Sequence, residues 1–154
     1  MTMKSLSILA VITCLVAMVP FSGAATVSAL NGNYAFALAS PGKYGAQTVV
    51  GTIAFDGAGH VTALSYTQTT TTSSGGTTVC TGGLKSEGSY TMGSSSDLGA
   101  LSMTVTSSCK GQGGPVKLGL VAAVPVSGIA TVVYLSPVAG KDSNGPSGMA
   151  TKQW

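Results

Sequence analysis

The chain has 154 residues, seven basic and four acidic, with a formal net charge of +3 and only 7% charged side chains. Its basic groups are scattered, so it lacks the row of cations that phosphate contacts require, and no nucleic-acid partner is expected. Polarity is carried instead by serine, threonine and 22 glycines, and the length suits one domain that buries a core without metals.

The N-terminus predicts an export leader. Met1-Thr2-Met3-Lys4 supplies one positive side chain, Leu6–Val19 an apolar run, and Ser22-Gly23-Ala24-Ala25 the small residues of a cleavage site. The apolar run is shorter than the roughly 20 residues of a membrane-spanning helix. Residues 1–25 are therefore read as a signal peptide, cut after Ala24 or Ala25, and 26–154 as a single secreted β-domain, periplasmic or extracellular. No stable membrane span is expected after cleavage. Cys14 leaves with the leader. Cys80 and Cys109 remain as an even pair in an oxidising compartment and predict a disulfide. Closing that loop of about 30 residues is worth roughly 3.5 kcal/mol in the chain-entropy picture.

Apolar residues then alternate with period two, the signature of half-buried strands. Tyr34, Phe36 and Leu38 form one such series; Val49, Gly51, Ile53 and Phe55 a second. Leu101, Met103 and Val105 form another, and Val116, Leu118 and Leu120 a fourth. Turn signals separate the runs: Pro41-Gly42-Lys43, Asp56-Gly57-Ala58-Gly59, Ser73-Ser74-Gly75-Gly76, Gly82-Gly83, Gly93–Asp97, Gly111–Pro115, Pro125–Gly128 and Lys141–Pro146. The stretch Leu118–Gly140 is nearly uncharged, but its β-branched residues and its break at Pro125–Gly128 predict two buried strands. The fold class is all-β: an antiparallel meander of about eight or nine strands after the signal-peptide helix. An up-and-down barrel closes such a meander most simply; a two-sheet β-sandwich is the alternative. The aromatic girdles of a transmembrane barrel are missing.

Residues able to carry chemistry are few. His60 is the sole histidine, four residues after Asp56 across a predicted turn, and Asp56 is explained by capping that turn. No G-x-S-x-G elbow accompanies them, and the four acids Asp56, Glu87, Asp97 and Asp142 are far apart in sequence, Glu87 at an expected strand start. No catalytic residue, metal site or cofactor is assigned. Tyr34, Phe36, Phe55, Tyr66, Tyr90 and Tyr134 are candidate pocket-lining residues, since a barrel of about eight strands holds either packed side chains or one small ligand. Gly88-Ser89-Tyr90 echoes Gly32-Asn33-Tyr34, and Thr69–Thr78 reads as a solvated hairpin tip.

Leu30-Asn31-Gly32-Asn33-Tyr34-Ala35-Phe36, Gly51–Val61 (the GTIAFDGAGHV segment), Gly88-Ser89-Tyr90-Thr91 and the tail Ser147–Gln153 resemble a group of uncharacterised secreted bacterial β-domains frequent in acidobacteria. The resemblance implies export and a β-meander, and it implies no activity. The Gly-x-Tyr opening is also similar to the Gly-x-Trp start of lipocalin and avidin-like barrels, with Tyr34 in place of tryptophan; that analogy concerns fold alone. The resulting expectation is a secreted, non-enzymatic β-barrel that binds a small apolar ligand or a cell-surface partner. Two alternatives stand beside it: a barrel-type cyclase or isomerase, and an adhesive or envelope-structural protein.

Overall fold

The computed structural model describes residues 26–42, 45–93, 98–123, 128–138 and 145–154. The expected signal peptide, residues 1–25, lies outside the described residues. A short 3-10 turn, Val27–Ala29, leads into eight strands: β1 (Asn31–Gly42), β2 (Gly45–Asp56), β3 (His60–Thr72), β4 (Thr77–Met92), β5 (Leu98–Ser107), β6 (Gly114–Ala123), β7 (Val132–Pro137) and β8 (Ser147–Lys152). Each strand pairs with the next, and β8 returns to pair antiparallel with β1, so the meander is a closed up-and-down barrel. The sandwich alternative is thereby resolved: β1 bonds β2 along one edge and β8 along the other, whereas sandwich sheets end in edges that need protection.

The alternation sorts side chains by face. Tyr34, Phe36 and Leu38 on β1, Leu101, Met103 and Val105 on β5, and Leu118 and Leu120 on β6 all turn into one buried core. Each fully buried side chain of this kind contributes about 1.5–3 kcal/mol relative to exposure. Across four strands the register pairs Phe36 with Gly51, Gly51 with Tyr66, and Tyr66 with Gly82. Aromatic and glycine thus alternate along an inward row, and the glycines make room for the rings. A Cβ on Gly51 would stand 3.0 Å from Phe36 Cζ and 2.8 Å from Tyr66 Cα, and one on Gly82 would enter the Tyr66 ring.

That packing explains a departure from the sequence-based expectation. Gly82-Gly83 does not turn the chain; it lies inside β4, a 16-residue strand. The glycines are there for close approach, not for a turn. Register shifts in the β3–β4 and β4–β5 pairings occur between Val61 and Ser65 and between Leu84 and Ser89. Such bulges bend a sheet and help it close.

One end of the barrel is plugged. Phe55 stands edge-on between Tyr34, at 5.4 Å between ring centroids, and Tyr90, at 5.1 Å. The Tyr34 hydroxyl donates to the Ala130 carbonyl at 2.7 Å. The Tyr90 hydroxyl lies 2.8 Å from both the Val27 and the Leu30 carbonyl oxygens and shares its single proton between them. Ala130 N–H donates to Ala29 at 2.8 Å, which joins the two covering segments. Ala29, Leu30 and Ala130 are fully buried beneath this network. The Gly-x-Tyr echo therefore has a structural meaning: both tyrosines flank one phenylalanine, and each anchors a covering segment. Burial raises the pKa of both phenols above the ordinary value.

Candidate functional site: an apolar cavity at the open end of the barrel

At the opposite end the inner faces do not meet. They leave a cavity of about 230 Å³. The row of Phe36 and Tyr66 bounds it, with Leu38 from β1, Val49 from β2, Leu64 from β3, Met103 and Val105 from β5, and Val116 and Leu118 from β6. No strand β4 side chain lines it, because Gly82 yields its place to Tyr66. The Tyr66 hydroxyl is already committed, donating to the Thr106 carbonyl at 2.8 Å. The polar lining comes from three glutamines: Gln47 on β2, Gln68 on β3 and Gln112 in the β5–β6 loop. Gln68 Nε2 donates to Gln112 Oε1 at 2.9 Å. Among the described residues, no lysine, histidine or carboxylate lines the cavity.

The disulfide holds this mouth together. Cys80, fully buried on β4, is bonded to Cys109 in the β5–β6 loop, with Cα atoms 5.5 Å apart. Gln112 follows Cys109 by three residues, and its Oε1 lies 3.5 Å from Cys80 Sγ. Ser108 N–H donates to the Thr81 carbonyl at 2.7 Å, and its hydroxyl accepts from Thr81 N–H at 2.9 Å. The loop bearing Gln112 is thus fixed to β4 by a covalent bond and two hydrogen bonds.

The six aromatic candidates separate into three groups. Phe36 and Tyr66 line the cavity. Tyr34, Phe55 and Tyr90 fill the plugged end instead. Tyr134 is not a pocket residue: it is 50% exposed on the outside of β7, where its register partners are Val121 and Met149, also exposed. Its neighbours Val133 and Leu135 are the buried ones, and strand parity then forces Tyr134 outward. Because Val132–Leu135 is apolar at every position, the sequence offered no contrast from which to choose the face. The glutamines were missed although a signal existed. Gln47 is in step with Val49 and Gly51, and Gln68 with Tyr66, so parity alone places both inside.

His60 and Asp56 form a local pair away from the cavity. Asp56 Oδ1 accepts from Ala58 N–H at 2.7 Å and from His60 N–H at 3.0 Å, while Oδ2 lies 2.6 Å from His60 Nδ1. The His60 backbone N–H is the main reason the Asp56 carboxyl is lowered to about 2, with the His60 ring and Ala58 N–H adding to it. The hydrogen bond and charge of Asp56 raise His60 in turn. Asp56 is the one side chain hydrogen-bonded to this ring among the described residues. The arrangement is a pH-sensitive turn clasp. Glu87 sits inside β4, exposed and in outward step with Lys85, rather than at a strand start. Trp154 is 94% exposed, with Lys152 Nζ 5.6 Å from its ring. Comparison with family models, curated proteins and solved structures found no match, so the site is read from its own geometry.

Proposed function

We propose that this chain is an exported, non-enzymatic barrel that holds one small apolar molecule in its open end. The carrying observation is the asymmetry of the interior. One end is sealed by Tyr34, Phe55 and Tyr90 under a hydrogen-bonded plug, while the other keeps a mainly apolar cavity of about 230 Å³. An apolar void of about 150 Å³ admits benzene, so this one has room for a ring or a short chain. The disulfide supports the extracytoplasmic part of the reading, since such bonds persist in oxidising compartments.

The lining favours binding over turnover. General acid–base chemistry needs a titratable group within reach of the substrate. Glu87 faces outward and the Tyr90 hydroxyl is engaged with the plug, so neither offers a polar group to the cavity. Closure also leaves no free strand edge for adhesion by strand addition. The test is to fill the space: Val49→Phe and Val116→Phe, made in protein purified from an exporting host with its disulfide formed, should abolish toluene binding in calorimetry while the fold survives. Toluene binding undiminished in both variants would refute the reading.

A further inference from the structure

Three of the chain's four glutamines converge on the cavity, from two strands and a loop that are far apart in sequence. Gln68 and Gln112 are hydrogen-bonded to each other, with Gln112 on the exposed side. Gln47 and Gln68 are partly buried and point inward with the apolar residues of their strands. Gln112 is held over the same space by the Cys80–Cys109 bond.

The amide inventory shows what the mouth offers. Gln68 Nε2 is used, donating to Gln112 at 2.9 Å and toward Thr70 Oγ1 at 3.4 Å. Its Oε1, the Gln112 Nε2 and both ends of the Gln47 amide have no hydrogen-bond partner among the described residues. An amide carries two donors and an acceptor. Among the described residues the cavity lining therefore presents both donors and acceptors and no charged group. Lys110, on the same loop as Gln112, is exposed and lines a different groove, with Lys85 and Thr104.

We propose that the cavity selects a neutral molecule whose ring or short chain enters the barrel and whose hydroxyl, amide or lactam head stays among Gln47, Gln68 and Gln112. This rests on the cavity-binding reading above and adds the ligand class. Scaling from benzene in about 150 Å³, the ligand has about nine non-hydrogen atoms. A carboxylate is disfavoured, because bringing it against this apolar lining costs hydration that no cation among the described lining residues restores.

The experiment compares toluene, benzyl alcohol and benzoate at pH 7 by calorimetry and by NMR of the aromatic rings, in the parent and in Gln47→Leu, Gln68→Leu and Gln112→Leu. One net hydrogen bond is worth about fivefold in affinity. In at least one variant the benzyl alcohol to toluene affinity ratio should fall about fivefold, with toluene binding kept or strengthened. Benzoate should bind the parent at least tenfold more weakly than benzyl alcohol. Gln68→Leu also removes the bond to Gln112; if it fails to fold, Gln47→Leu carries the comparison. Toluene binding with an unchanged ratio in all folded variants, or benzoate binding as well as benzyl alcohol, overturns the head-group assignment alone. No binding of any probe and no shift at Phe36 or Tyr66 overturns the cavity reading with it.

Discussion

Asp56 and His60 tie one turn to pH, and the direction follows from each shift. The Asp56 carboxyl is held down to about 2 in the fold against an ordinary 3.8, so its contribution is present above 3.8 and is lost as the pH falls toward 2. The His60 ring is held above its ordinary 6.5, so its contribution is complete below 6.5 and is lost as the pH rises through the raised value. The pair should therefore stabilise the turn most between about pH 4 and 6.5. NMR titration should give His60 a pKa above 6.5, and Asp56→Asn should lower it toward that value, with Glu87 keeping a smaller upward influence. A ring titrating at or below 6.5 in the parent would contradict the clasp. Gly82 makes a second prediction at this scale. Gly82→Val should destabilise by about 3 kcal/mol or more, because the new side chain meets the Tyr66 ring and neither strand can move aside. Tyr90→Phe should cost about 1–3 kcal/mol by leaving the buried Leu30 carbonyl without this donor, while the Val27 carbonyl keeps the Leu30 N–H. Denaturant midpoints decide both.

The β5–β6 loop depends on β4 for its position. Replacing Cys80 and Cys109 together by alanine should cost about 3.5 kcal/mol through the freed 29-residue separation. It should also weaken probe binding, since Gln112 would lose its tether. By contrast, Tyr134→Ser on the outer face of β7 should change stability by no more than about 0.5 kcal/mol. At this scale the sequence was informative wherever its two strand faces differed. β1, β2, β5 and β6 were legible from alternation, and the Asp56–Gly59 turn from its residues. β4 was not, because its Gly82-Gly83 pair serves a ring on β3, a partner defined only by the register. Nor was the face of Tyr134 legible, with apolar residues on both sides.

As a whole, the molecule is a barrel with different ends. Closure could be anticipated from a nearest-neighbour meander, but which aromatics would plug and which would line a cavity depends on three-dimensional pairing. Tyr34 and Phe36 lie two residues apart on the same face, yet one anchors the plug through Ala130 and the other borders the cavity. The outside divides as well. Val50, Val121, Tyr134 and Met149 are exposed on β2, β6, β7 and β8, whereas β4 turns Lys85 and Glu87 outward along with Val79. The core is largely apolar, with Ser40 buried in it and Gln47, Gln68 and Gln112 at its open end, unlike the polar lumen of a transmembrane barrel.

The central claim is that the interior is solid at one end and open to a small apolar guest at the other. Titrating toluene into the oxidised protein and following side-chain NMR shifts tests it directly. Saturable shifts at Phe36, Leu38, Val49, Tyr66 and Val105, with Tyr34, Phe55 and Tyr90 unmoved, are the predicted result. Shifts confined to the outer residues Val121, Tyr134 and Met149, or none at all, would contradict it.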